Sequence, residues 1–154
     1  MMRQQLLGRS PMVHFETFAR LHQATQMDVA ALRALSMILP AAADGERPVW
    51  PLLVDARGAH VLVATECQLP VGAIAVWHHK DTAEARLSWL GVAPAVSRRG
   101  IGSLLLEAAI ATVAAHRAKV LTVRLPGDAV QLARFLHDAG FVREKGGTLR
   151  RALT

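Results

Sequence analysis

The chain has 154 residues, enough for one domain with a core of useful size. Hydrophobic residues make up 52% and charged residues 19%, which excludes a disordered polyelectrolyte. The net charge of +6 admits a polyanionic partner, but aromatics are only 5%, with no Tyr, which disfavours a stacking platform for single-stranded nucleic acid.

Residues 1–12 read as a loose leader without the apolar run of a signal peptide. His14 to His22 carries Phe15, Phe18 and Leu21 among polar residues and reads as a first strand. Thr25 and Asp28 then have capping-box spacing, with Asp in place of the usual Glu. Val29, Leu32, Leu35, Met37, Ile38 and Leu39 continue a helix that stops before Pro40. After a small-residue linker over 41–47, Pro48 to Ala56 reads as a short second helix closed by Gly58. Trp50 within it reads as core packing ahead of substrate contact.

His60 to Glu66 and Val71 to His78 form two apolar runs, joined through Gln68-Leu69-Pro70 as a hairpin. The lone Cys67 excludes an intrachain disulfide framework and sits at a strand end. His78 and His79 are adjacent, so on a strand they face opposite ways and do not converge on a metal. With no H-E-x-x-H and no paired cysteines, no metal site is expected. Glu84 to Val92 reads as a third strand, with Leu87 and Trp89 on one face and Arg86, Ser88 and Leu90 on the other.

That strand runs into a Pro94-marked loop ending in Arg98-Arg99-Gly100-Ile101-Gly102, and an Ala/Leu-rich helix follows at once. The first N–H groups of a helix lack intrahelical acceptors, and its dipole favours negative charge there. Gly100 and Gly102 let an anion approach the backbone, and Arg98 and Arg99 add positive charge. The loop is not a Walker sequence, and Leu105 replaces the third glycine of a dinucleotide fingerprint. A tight turn that packs helix against strand is the competing reading.

The helix, Ile101 to about Arg117, packs through Leu104, Leu105, Ala108 and Val113. It is too short to span a bilayer, and no stretch reaches the ~18 apolar residues a span needs, so a cytoplasmic protein off the membrane is expected. Lys119 to Leu125 is a β-rich strand. Pro126-Gly127-Asp128 breaks it, Asp128 is placed to cap a helix from Ala129 to Ala139, and Gly146 to Leu153 is a final strand.

Val92-x-Pro94, followed by Arg99-Gly100-Ile101-Gly102-Ser103-x-Leu105, resembles motif A of the GNAT family, the acyl-CoA-dependent N-acyltransferases. Ala-Thr-x-x-Asp at 24–28, Gly72-Ala73-Ile74 and Gly140-Phe141 extend the resemblance over most of the chain. Ser97 stands where the family usually has Gln or Arg, and Arg98 where Gly is frequent. The resemblance implies an α/β (α+β) fold: a mixed, mostly antiparallel sheet of six to seven strands flanked by four helices, with a splayed central strand pair. It implies one acetyltransferase domain over 1–154. It also implies that Arg98, Arg99, Gly100, Ile101, Gly102 and Ser103 hold the pyrophosphate of acetyl-CoA, while backbone groups of Leu90 and Val92 hold pantetheine and polarise the thioester.

The acceptor it implies is a primary amine of a small molecule or peptide. A homodimer through the C-terminal strands is a further implication. The family's usual catalytic side chains do not carry over: Leu136 stands at its tyrosine, Ala129 at its asparagine and Arg86 at its glutamate base. Ser88, as a water-ordering group, and Glu84, as a base, are the remaining catalytic candidates. Three functions follow in order: an N-acetyltransferase, a non-catalytic acyl-CoA-binding domain, and, least supported, a basic nucleic-acid-binding module.

Overall fold

The computed structural model describes residues 19–38, 48–79, 82–94 and 100–153. The expected leader, the Phe15 and Phe18 part of the first strand, the 41–47 linker and the loop residues Ser97, Arg98 and Arg99 lie outside the described residues.

In chain order the elements are β1 (Arg20–Gln23), α1 (Val29–Ile38), α2 (Trp50–Leu53), β2 (Ala59–Glu66), β3 (Leu69–His78) and β4 (Glu84–Val92). Then come α3 (Ile101–Ala115), β5 (Val120–Arg124), α4 (Val130–Asp138), β6 (Val142–Arg143) and β7 (Thr148–Ala152). The strands form one seven-stranded sheet in the order β1-β2-β3-β4-β5-β7-β6. All neighbours are antiparallel except β4 and β5, whose parallel pairing requires the α3 crossover between them.

Two apolar layers sandwich this sheet. On one face, Ile101, Leu105, Leu106, Leu136 and Phe141 pack onto Leu87, Leu121, Val123 and Leu149. Within α3, Ile101, Leu105, Ala109 and Val113 recur every fourth residue, so one stripe of the helix is buried. Leu104 and Ala108, expected in that stripe, are half-buried at its margin. On the other face, Leu32, Trp50 and Leu53 cover Val61, Val63, Ala73, Ala75 and Trp89. Trp50 stands edge-on to Trp89, with ring centroids 5.4 Å apart, and donates its indole N–H to Ser36 Oγ at 3.1 Å. Its place is the core.

The capping box forms with Asp as its acid. Met27 N–H donates to Thr25 Oγ1 at 3.2 Å, and Thr25 N–H donates to Asp28 Oδ2 at 2.8 Å. His22 Nε2 lies 3.0 Å from Asp28 Oδ1. Burial alone would raise the Asp28 pKa, but the Thr25 backbone N–H and His22 together hold it below the ordinary 3.8. A carboxyl depressed on folding stabilises fully above its unfolded pKa and loses that contribution as pH falls through the folded one. Asp28→Asn is therefore expected to lower stability by roughly 0.3–1 kcal/mol at pH 7 and by less near pH 3, measured by urea unfolding at each pH.

Four local expectations are corrected. The β2–β3 turn is Cys67-Gln68, both with positive φ (52° and 67°), so Leu69 and Pro70 belong to β3. Only Trp50–Leu53 of the second helix forms. Asp128 does not cap α4: Ala129 is the N-cap residue and no side chain bonds there. A two-residue strand, β6, precedes the final strand. Among the described residues no helix is long and apolar enough to cross a membrane.

Candidate active site

The parallel pairing of β4 with β5 covers only Glu84↔Val120, Ala85↔Leu121, Arg86↔Thr122 and Leu87↔Val123. Ser88 to Val92 continue along β3 but have no partner on the β5 side. The change occurs at a bulge. Register slips by one between Ala75↔Trp89 and Val76↔Leu87, which leaves Ser88 as the extra residue. The slip also reverses the side-chain phase. Leu87 and Leu90 lie together in the α3 layer while Trp89 enters the α1–α2 layer, so the expected sharing of one face by Leu87 and Trp89 is overturned. Leu132 of α4 packs against both layers, so they meet near this opening.

Ala93 N–H donates to Val71 O at 2.8 Å, which points that residue's backbone at β3. Alternation along an antiparallel pair then directs the N–H and C=O groups of Leu90 and Val92 to the unpaired edge. Beyond the edge, α3 begins at Gly100, whose φ of +81° is left-handed and costs glycine little. A Cβ there would meet nothing within 4 Å among the described residues. The first intrahelical bond runs from Leu104 N–H to Gly100 O at 3.0 Å. Ile101, Gly102 and Ser103 therefore carry N–H groups with no intrahelical partner. A Cβ at Gly102 would enter the space between Phe135, at 3.5 Å, and Val92, at 3.7 Å.

The remaining candidates separate. Ser88 is half-buried at the bulge and donates its hydroxyl to Ala75 O at 3.2 Å, leaving its lone pairs free to accept. Glu84 is at the closed end of β4, where its carboxylate accepts from Thr122 Oγ1 at 3.0 Å. It lies six positions before Leu90, about 20 Å along a strand, in the segment where β4 is paired with β5. Leu136, at the family's tyrosine position, is fully buried under α3. Gly72 and Phe135 border the end of β4 from β3 and α4; the sequence placed Gly72 in a strand that resembles the family's, without a role at the opening, and Phe135 as one apolar residue of a helix.

An open parallel pair, with a glycine-led helix start facing its free edge, fits the extended donor arm and diphosphate of an acyl-CoA; this is the architecture of acyl-CoA-dependent N-acyltransferases. Residues 57–143, more than half of the chain, match the model of the acetyltransferase (GNAT) domain, and the chain belongs to that family. Acyl transfer from a coenzyme A donor is the general chemistry this assigns. No curated protein matches the sequence.

Solved structures share the fold. A GNAT-family protein from Desulfovibrio desulfuricans has 22% identity, covering 88% of this chain and 99% of that one, with a TM-score of 0.76. N-acetylglutamate synthase from Neisseria gonorrhoeae, complexed with coenzyme A and N-acetyl-glutamate, has 16% identity over 90% of this chain and 36% of that one, with a TM-score of 0.75. PaiA N-acetyltransferase from Thermoplasma acidophilum, in complex with coenzyme A, has 12% identity, 88% and 99% coverage and a TM-score of 0.74.

Proposed function

We propose that the protein is an N-acetyltransferase that moves an acetyl group from acetyl-CoA to a primary amine by direct attack. The observation that carries this reading is the unpaired edge from Ser88 to Val92, which ends beside the open start of α3. The N–H groups of Ile101, Gly102 and Ser103, with Arg98 and Arg99, would hold the pyrophosphate. Leu90 and Val92 would offer the donor arm the backbone bonds that β5 does not make.

Acetyl-CoA supplies an activated acyl carbon. The protein's part is to fix that carbon beside the amine and to aim an N–H of β4 at the thioester oxygen, where charge builds. Ser88 is the side chain we assign to ordering water at the opening. That water takes the proton the amine must lose. A coenzyme A thiolate is a tolerable leaving group near neutral pH, so no acid from α4 is required.

Titration calorimetry tests the cofactor half of this reading. One equivalent of acetyl-CoA should bind per chain, with affinity that falls as salt rises; no heat at any salt concentration would sink it. A second reading, a domain that binds acyl-CoA without turnover, is favoured by the buried Leu136 and by Arg86 at the positions of the usual acid and base. Binding without thiol release across a broad amine panel would select it.

A further inference from the structure

Among the described residues, one face of the sheet is left uncovered beside the opening. On the face carrying Leu87, Val123 and Leu149, α3 and α4 roof the sheet. On the other face, α1 and α2 cover β2, β3 and Trp89, and the buried cluster there contains no residue of β5, β6 or β7. Among the described residues α4 contributes only Leu132 to that cluster.

Three arginines lie on this uncovered surface. Ala85, Leu87, Leu121, Val123 and Leu149 point into the α3–α4 layer, so alternation turns Arg86, Arg124 and Arg150 to the opposite side. Arg86, Thr122 and Arg150 form one cross-strand row, because Arg86 pairs with Thr122 and Thr122 with Arg150. Arg124 lies two residues farther along β5, on the open side, opposite Thr148. Arg86 and Arg124 are exposed and form no ion pair among the described residues. Arg150 Nε is 3.7 Å from Glu144 Oε2, a contact between half-exposed groups that is weak in water. Glu84, the other carboxylate on this face, accepts from Thr122 and so lies within the row of Arg86 and Arg150, which leaves Arg124 as the unpaired cation farthest toward the opening. Three guanidiniums thus outnumber the two carboxylates, Glu84 and Glu144, on this face, and the one beyond the last β4–β5 pair is Arg124.

This placement is poor for a polycationic amine and good for an anionic one. Guanidinium groups pair with carboxylates in matched geometry. Their field also disfavours an ammonium beside them, which lowers the pKa of the incoming amine and raises its neutral, attacking fraction. Such a field does part of the work of the base that Arg86 replaces.

Resting on the acetyl-transfer reading above, we infer that the acceptor is an amine that also bears a carboxylate, received by Arg86 and Arg124 with Arg150 at the outer edge. In the transfer the C–N bond forms as the C–S bond breaks. One proton passes from the ammonium to water before attack and a second from nitrogen to water once the C–N bond has formed, and coenzyme A leaves as a thiolate that is protonated by solvent.

Thiol release by the full chain should be measured with L-aspartate and L-glutamate, and with putrescine, spermidine and an aminoglycoside. Turnover should be confined to the carboxylate-bearing amines. Arg86→Gln and Arg124→Gln should each lower kcat/KM about tenfold or more, mainly through KM, with Arg124→Lys retaining part of the activity and acetyl-CoA affinity unchanged by calorimetry. Glutarate, which has the carboxylates but no amine, should inhibit the unaltered protein competitively against the amine. That readout stands even if a variant fails to fold. Equal or better turnover of the polyamines, arginine variants without effect, or turnover of other amines with no carboxylate amine consumed would each overturn the acceptor class, whereas acetyl-CoA binding with no amine consumed would select the non-catalytic reading. Failure to bind acetyl-CoA would instead remove the reading beneath it.

Discussion

Gly102→Ala should leave the protein as stable as before or slightly more so, yet lower its affinity for acetyl-CoA by on the order of 100-fold. The two effects have separate causes. Inside a helix alanine is favoured over glycine by roughly 0.5–1 kcal/mol, and less in the first turn. The added methyl would sit 3.5 Å from Phe135 and 3.7 Å from Val92, ordinary contact distances, so packing does not oppose it. It would, however, stand between the end of β4 and α4, the space beside the helix start in which the proposed donor would lie. Holding the diphosphate off two N–H groups forfeits charge-assisted hydrogen bonds of about 1.5–3 kcal/mol each. A total near 3 kcal/mol corresponds to about 100-fold in affinity. Thermal unfolding and titration calorimetry on the same sample check both halves. A loss of affinity accompanied by a fall in stability would assign Gly102 to packing and leave the anion site without support.

Gly72→Val is expected to act the other way round, first on the fold and through it on the site. Gly72 lies opposite Val92 on β3. A Cβ there would come 3.0 Å from the Gly91 carbonyl oxygen, 3.2 Å from Leu105 Cδ1 and 3.4 Å from Val92 Cγ2. The first neighbour is the backbone of the paired strand, and the second belongs to a fully buried side chain of α3. Neither yields without moving β4 or the helix. Overpacking of this kind costs about 1–3 kcal/mol, and valine's branched Cβ places the loss toward the top of that range. For a chain of this size about 3 kcal/mol lowers Tm by roughly 6–12 °C. Gly127→Ala is the control: a Cβ there meets nothing within 4 Å, and Tm should barely move. An unchanged Tm for Gly72→Val would mean that α3 does not press on the sheet at this point.

Strong local signals made most of the fold legible. The limits of β4 and the first residue of α3 agree with their sequence reading, since alternation and the glycine-led turn mark them. Thr25 and Asp28 met their capping geometry. The misreadings fall where one residue changes the pattern without changing its composition. A bulge at Ser88 keeps the strand apolar while reversing which face Trp89 serves. The Cys67-Gln68 turn carries positive φ on two residues that do not advertise it, so the proline after them drew the boundary. Val142 and Arg143 pair as β6 through tertiary contact alone, too few for any periodicity.

The candidate site divides similarly. Gly100 was legible because a left-handed residue ahead of a helix has few alternatives to glycine. For Glu84, sequence shows the charge and hides the 3.0 Å bond that ties it to Thr122 in the paired part of the strand. Arg124 and Arg150 drew no notice, since only the register of three strands brings them beside Arg86.

The short parallel contact between β4 and β5 is also a mechanical boundary. It is the sheet's one junction between the β1–β4 meander and the β5–β7–β6 unit. Four residue pairs carry it. A molecule lodged in the cleft above that seam would bridge the two halves, acting as a removable rivet whose occupancy sets how firmly they hold together.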